Sequence, residues 1–155
     1  MPTPEGQHCG CADSAASVIT QIQNLYARLA QAADYGTLEE YGALLHTDLI
    51  WEMPHSPGAA IAQQVRRGRE DVLAGARERR TAGIQGPGTA TWHVLTNIAV
   101  TPGADGAGEA YGVAYWHFYS DVDTTPVLRS TGVYRDRFVH TTDGWVLAHR
   151  QIGRG

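Results

Sequence analysis

From residue 14 to residue 34 the apolar positions recur at steps of three and four: Val18, Ile19, Ile22, Leu25, Tyr26, Leu29 and Ala33. That period places them on one stripe of a helix. Asp13 or Ser14 can cap its start, Asp34 falls at or near the end of the stripe, and Gly36 stops it. A second helix is predicted at once, because "TLEEYGALL" holds Thr37 and Glu40 at capping-box spacing. The period then changes to two. "DLIWEMP" sets Ile50 against Trp51 and Met53, a strand that stops before Pro54. Residues 55 to 67 read as a loop, "GREDVLAGARERR" as a third, amphipathic helix, and "AGIQGPGT" as a glycine-rich loop.

The remainder alternates as strands: "TWHVLTN", "EAYGVAYWHFYS", "LRSTGVYRDRFVH" and "TTDGWVLAHRQI", with turns at "TPGADGAG" and "DVDTTP" and a hairpin signal at Asp143–Gly144. The element order α-α-β-α-β-β-β-β predicts an α+β domain, with the helices on one face of an antiparallel sheet. A sheet curled around the helices makes a cone with an apolar pocket. Residues 14–155 form this single domain, and residues 1–13 are expected to be a flexible tail.

Strand parity sorts the side chains. His93, Leu95 and Asn97 share a face. On the long aromatic strand, Ala110, Gly112, Ala114, Trp116 and Phe118 share one face, and Tyr111, Val113, Tyr115, His117 and Tyr119 the other. Small residues leave room for a ligand, so the even face is expected to line the pocket, with Ala114 and Trp116 touching the guest. The odd face is left to a second subunit or to solvent. Ser130, Gly132 and Tyr134 share a face on the next strand, and Val146, Ala148, Arg150 and Ile152 on the last. Arg150 sits among apolar neighbours and needs a partner, either a salt bridge at the sheet end or a ligand.

Bulk properties narrow the classes. A chain of 155 residues suits one core, and its net charge of −4 is spread along it. Arg66, Arg67, Arg69, Arg77, Arg79 and Arg80 are interrupted by Glu70, Asp71 and Glu78, which reads as a solvated helix face. No nucleic-acid partner is expected. No apolar run approaches the roughly 20 residues of a membrane helix, and the N-terminus lacks the pattern of a signal peptide, so no membrane partner and a cytoplasmic location are expected. Cys9 and Cys11 lie in "HCGC", too few ligands for a zinc site. His46, His55, His117, His140 and His149 show no metal-ligand spacing, though His55 falls in a pocket-rim loop and would touch a ligand there.

Asp34 and His93 matter most as a pair. Alone, Asp34 is a turn aspartate in water and His93 a core histidine satisfied by a carbonyl. Together they are chemistry: an aspartate on one imidazole nitrogen fixes the tautomer and leaves the other to take a proton.

The order "NLYARLAQAADYGTLEEYGALLHTDLIWEMP", "WHVLTN" and "STGVYRDRFVHTTDGWVLAHRQI" resembles the SnoaL-like branch of the nuclear transport factor 2-like superfamily, over residues 14 to 153. That branch includes scytalone dehydratase, bile-acid dehydratases and a hexachlorocyclohexane dehydrochlorinase. The resemblance implies a curved antiparallel sheet wrapped on helices around a deep apolar pocket. It implies Asp34 and His93 as the catalytic pair, Arg150 as the holder of a leaving group, Trp51 as a pocket-lining residue and Tyr26 as a frequent helix-one tyrosine. The tyrosines that assist scytalone dehydratase have no certain match. Tyr134 is a candidate proton donor in their place.

The expected function is that of a cofactor-independent lyase or isomerase: a dehydratase, dehydrohalogenase or polyketide cyclase acting on a small hydrophobic cyclic molecule. Asp34, His93, Arg150 and Tyr134 would carry the chemistry. Tyr26, Trp51, Met53, His55, Asn97, Ala114, Trp116 and Ser130 would bind the substrate. No cofactor or metal is expected, and a homo-oligomer, dimer or trimer, is. The alternatives are a non-catalytic ligand-binding module and the small subunit of a ring-hydroxylating dioxygenase, for which the chain is slightly short.

Overall fold

A computed structural model describes residues 14–53, 63–104 and 108–153. His55, Cys9, Cys11 and the expected tail at 1–13 lie outside the described residues.

Helix α1 spans Ala15–Asp34, its first turn capped by the Ser14 side chain, which accepts from the Ser17 N–H at 3.2 Å. Val18, Ile22, Leu25, Tyr26 and Leu29 of its stripe are buried as predicted, Ile19 and Ala33 are half-buried, and Ala32 and Asp34 face the interior with them. Tyr35 closes the helix one residue before Gly36. Helix α2, Leu38–Gly42, opens on a complete capping box between Thr37 and Glu40. Strand β1 (Leu45–Met53), strand β2 (Gln64–Arg67) and helix α3 (Arg69–Thr81) follow. Then come β3 (Trp92–Pro102), β4 (Glu109–Ser120), β5 (Val127–Thr141) and β6 (Gly144–Gly153).

The six strands form one curved, unclosed sheet in the order β2-β1-β6-β5-β4-β3. Two features depart from expectation. Residues 64–67 are a strand rather than loop, pairing antiparallel with β1 from Ile50 opposite Arg67 to Met53 opposite Gln64. Their charge disguised them, yet an edge strand tolerates charged side chains. The sheet is also mixed, because β1 and β6 run parallel. Hairpin turns force β4, β5 and β6 antiparallel, whereas α3 and four strands separate β1 from β6, so no turn sets their direction.

The β5–β6 hairpin turns at residues 142–143, and Gly144 takes the left-handed φ of +110° that the turn requires. Strand β3 carries a bulge between Thr96 and Ala99, with Asn97 at φ +50°. The extra residue inverts parity. Inward positions run His93, Leu95, then Ile98 and Val100, and Asn97 is exposed.

The core lies between the three helices and the inner sheet face. Each large apolar side chain fully buried there contributes roughly 1.5–3 kcal/mol. The even face of β4 points inward as expected, and Tyr111 and Tyr115 of the odd face are exposed. The small residues of the even face do not make room for a guest, however. Tyr26 fills the space over Gly112, meeting Phe138 edge-on at 5.1 Å between ring centres. Ala114 is likewise core.

A methyl group at Gly112 would lie 2.9 Å from the Tyr26 ring and 3.0 Å from the Phe138 ring, besides meeting the Tyr26 hydroxyl. Gly112→Ala is expected to destabilise the fold by about 1–3 kcal/mol through overpacking. Equilibrium urea denaturation measures this, and an unchanged midpoint would refute the packing described.

Candidate active site

A cavity of about 330 Å³ opens between the helices and the bulky end of β4. Leu29 and Tyr41, Trp51 and Met53, Leu95, Phe118 and Ile152 give it an apolar lining.

Asp34 reaches this wall because it ends α1 on the helix's buried side. The last turn of α1 is held from α3: the Arg80 guanidinium donates to the carbonyls of Gly36 and Ala32, both at 2.9 Å, and of Ala33 at 3.3 Å. A cation suits carbonyls that a helix C-terminus leaves unpaired. Strand β3 is the sheet edge, so half of its backbone N–H groups lack a strand partner. Asp34 takes one of them. Its Oδ2 accepts the His93 backbone N–H at 2.7 Å, and its Oδ1 lies 2.6 Å from His93 Nδ1. Asp34 is only 5% exposed and the His93 side chain 15%. With Nδ1–H donating to Asp34, Nε2 is left to act on a ligand. Phe118, directly across from His93 on β4, holds the ring at 4.8 Å between centres.

Arg150 on β6 stands opposite Asp136 on β5. The pair is buried, with Nε donating at 3.0 Å to Oδ1 and Nη2 at 2.7 Å to Oδ2. Burial works against the charged guanidinium, but the adjacent Asp136 carboxylate overrides it and raises the Arg150 pKa. Burial in turn pushes the Asp136 carboxyl up, against the pull of Arg150 and of the Tyr26 hydroxyl beside it. The Arg150 guanidinium stacks on the Tyr134 ring, 3.8 Å from its centre. Burial raises the Tyr134 hydroxyl to about 12, keeping it protonated, and its ring stacks on Trp116.

The structure thus places His93, Arg150, Tyr134, Trp51, Met53, Trp116 and Ser130 on the cavity wall, with Asp34 immediately behind His93. Three expected contacts are absent. Tyr26 and Ala114 are core residues, and Asn97 points outward past the bulge. Arg150 has the salt bridge that one reading expected, and it also faces the cavity.

Sequence reasoning missed two residues. Asp136 shares the parity of Ser130 and Tyr134, a signal hidden by its arginine neighbours in "YRDRF". Arg79 belongs to the cluster taken for a solvated face, yet lines the cavity. Of that cluster only Arg67 and Arg77 are exposed. Arg66 pairs with Asp71 and Glu78, and Arg69 donates to the Leu45 carbonyl. Among the described residues no group of His, Cys, Asp or Glu is placed to hold a metal ion, and no helix is long and apolar enough to cross a membrane.

A family model described as a SnoaL-like domain matches residues 14–151. No curated protein matches the chain. Among solved structures, the chain is similar to an NTF2-like protein with a cystatin-like fold from Novosphingobium aromaticivorans, at 22% identity and a TM-score of 0.68 over 86% of this chain and 79% of that one. It is similar to a candidate scytalone dehydratase from the same species, at 19% identity and 0.63 over 87% and 82%. It is also similar to ActVI-ORFA from Streptomyces coelicolor, at 20% identity and 0.65 over 87% and 95%. At these identities the likeness is one of fold.

Two outcomes are expected. Asp136→Ala strands a buried guanidinium and should cost about 3–5 kcal/mol of stability in denaturant titration. Tyr134 has a folded pKa above its unfolded value near 10, so its contribution is complete below about pH 10 and lost as pH rises through about 12. Phenolate absorbance should therefore show a late-titrating tyrosine that Tyr134→Phe removes.

Proposed function

The chain belongs to the SnoaL-like domain family, and on that premise we propose that it is a cofactor-independent lyase or isomerase acting on a small hydrophobic cyclic substrate. The observation that carries this reading is the bidentate Asp34–His93 contact at the wall of an apolar cavity.

His93 Nε2 takes a proton from an acidic C–H of the bound ring. Asp34 accepts the Nδ1–H bond throughout and stabilises the imidazolium that forms. The electrons left on carbon become an enolate, or expel a β-substituent as hydroxide or halide. Arg150 stabilises that charge: Nε and Nη2 are engaged by Asp136, and Nη1 has no protein partner among the described residues. A fixed cation at an apolar wall is effective because it does not reorganise during the reaction. Tyr134, protonated through the neutral range, supplies the proton a departing hydroxide needs. Dehydratase, dehydrohalogenase and polyketide-cyclase chemistry share this first step. The outer sheet face, where Trp92, Tyr111, Tyr115 and Leu128 are exposed, is where a second copy would pack in a homo-oligomer.

The shared step is testable before the substrate is known. Cyclic ketones and hydroxylated aromatic ketones incubated in deuterium oxide should exchange an acidic C–H in the presence of the protein, followed by NMR. His93→Ala should slow exchange by about 10²–10⁴-fold, the usual contribution of a positioned base. Asp34→Asn should slow it as well. Exchange that persists in His93→Ala removes the base assignment, and a panel that never exchanges favours a ligand-binding role.

A further inference from the structure

Among the described residues two guanidinium groups reach the cavity, Arg150 from β6 and Arg79 from α3, and no aspartate or glutamate lines it. The two differ in what surrounds them. Arg150 is matched by Asp136. Arg79 has no hydrogen bond or ion pair among the described residues; its guanidinium lies 5.9 Å from the centre of the Trp51 ring. The acids near it in sequence are committed elsewhere, since Asp71 and Glu78 both pair with Arg66. Burial is the largest influence on Arg79 and works against its charged form; Arg66 adds to that opposition, and the pull of Tyr41, Tyr134 and Glu78 toward the charged form does not overcome it. An arginine nonetheless keeps its charge in a protein.

A cation at the wall of an apolar cavity with nothing opposite it is costly. Facing the aromatic surface of Trp51 offsets part of that cost. An anionic guest would offset the rest. One uncompensated positive charge matches one negative charge, and the planar guanidinium fork matches a carboxylate. Gln64, at the start of β2 opposite Met53, and Gln85, in the loop after α3, line the same cavity and bring amide donors to it.

We propose that Arg79, with Gln64 and Gln85, forms a carboxylate-binding subsite, so that the substrate is a hydrophobic ring bearing a carboxylate rather than a neutral molecule. The inference rests on the reading of this cavity as the substrate site. It makes Arg79 a binding and orienting residue that fixes which C–H is turned toward His93.

Calorimetry with 2-naphthoate and its uncharged counterpart 2-naphthamide tests it on the full chain. The wild-type protein should bind naphthoate about tenfold or more tightly than naphthamide, the scale of a charge-assisted hydrogen bond. Arg79→Gln should bring naphthoate down to the naphthamide affinity. Arg79→Lys should keep a partial preference, because it retains the charge and loses the fork. Thermal melting establishes that the variants are folded. Equal affinities in the wild type, binding of neither probe, or a preference that survives Arg79→Gln overturns the subsite. The preference should also survive His93→Ala. Preference without deuterium exchange in the wild type would keep the subsite and remove the base reading, whereas exchange without preference would do the reverse.

Discussion

The Asp34 carboxylate is the constraint on which the site depends. A helix end and a sheet edge each leave backbone groups without regular partners. Here one side chain closes both problems: it leaves the end of α1 and takes an N–H from the open edge of β3. Because its second oxygen binds the imidazole of the same residue, the ring and the strand beneath it are fixed to one point. Arg80 extends the linkage to α3 through the carbonyls around Asp34. Three elements distant in sequence thus converge on a single acid, and the tautomer of His93 follows from main-chain architecture rather than from a loose side-chain contact.

The buried Arg150–Asp136 pair does different work. Arg150 and Asp136 face each other across neighbouring strands, both buried, where desolvation and attraction are both large. The bidentate geometry decides the balance toward a charged arginine. Only part of that arginine is engaged by its partner, so a cation is presented to the cavity without being free to swing. Tyr134 beneath it is held neutral by the same burial.

Features set by local period were legible in the chain. The stripe of α1, the Thr37–Glu40 box and the limits of β4 depend on residues a few positions apart. Asp34 and His93 were legible because each interrupted such a pattern. What escaped depends on distance or on irregularity. A bulge shifts parity by one without a clear sequence mark, so Asn97 was placed on the wrong face. The small end of β4 pointed inward as expected, but what filled it was Tyr26, from a helix more than 80 residues earlier. Four of the arginines around α3 looked solvated because charge alone does not reveal a partner, and their partners are main-chain carbonyls, acids of α3 and an aromatic ring.

Tyr26 seated over Gly112 divides the interior into two compartments of different duty. On one side, tight contacts tie helix to sheet; on the other, aromatic and polar walls enclose empty volume, and Asp136 marks the border. Half-buried side chains on the hollow side, Met53 and Ser130 among them, can therefore be exchanged at less cost to folding than the buried ones beside them. A chain built this way is suited to retailoring its chemistry for new guests while its frame stays the same.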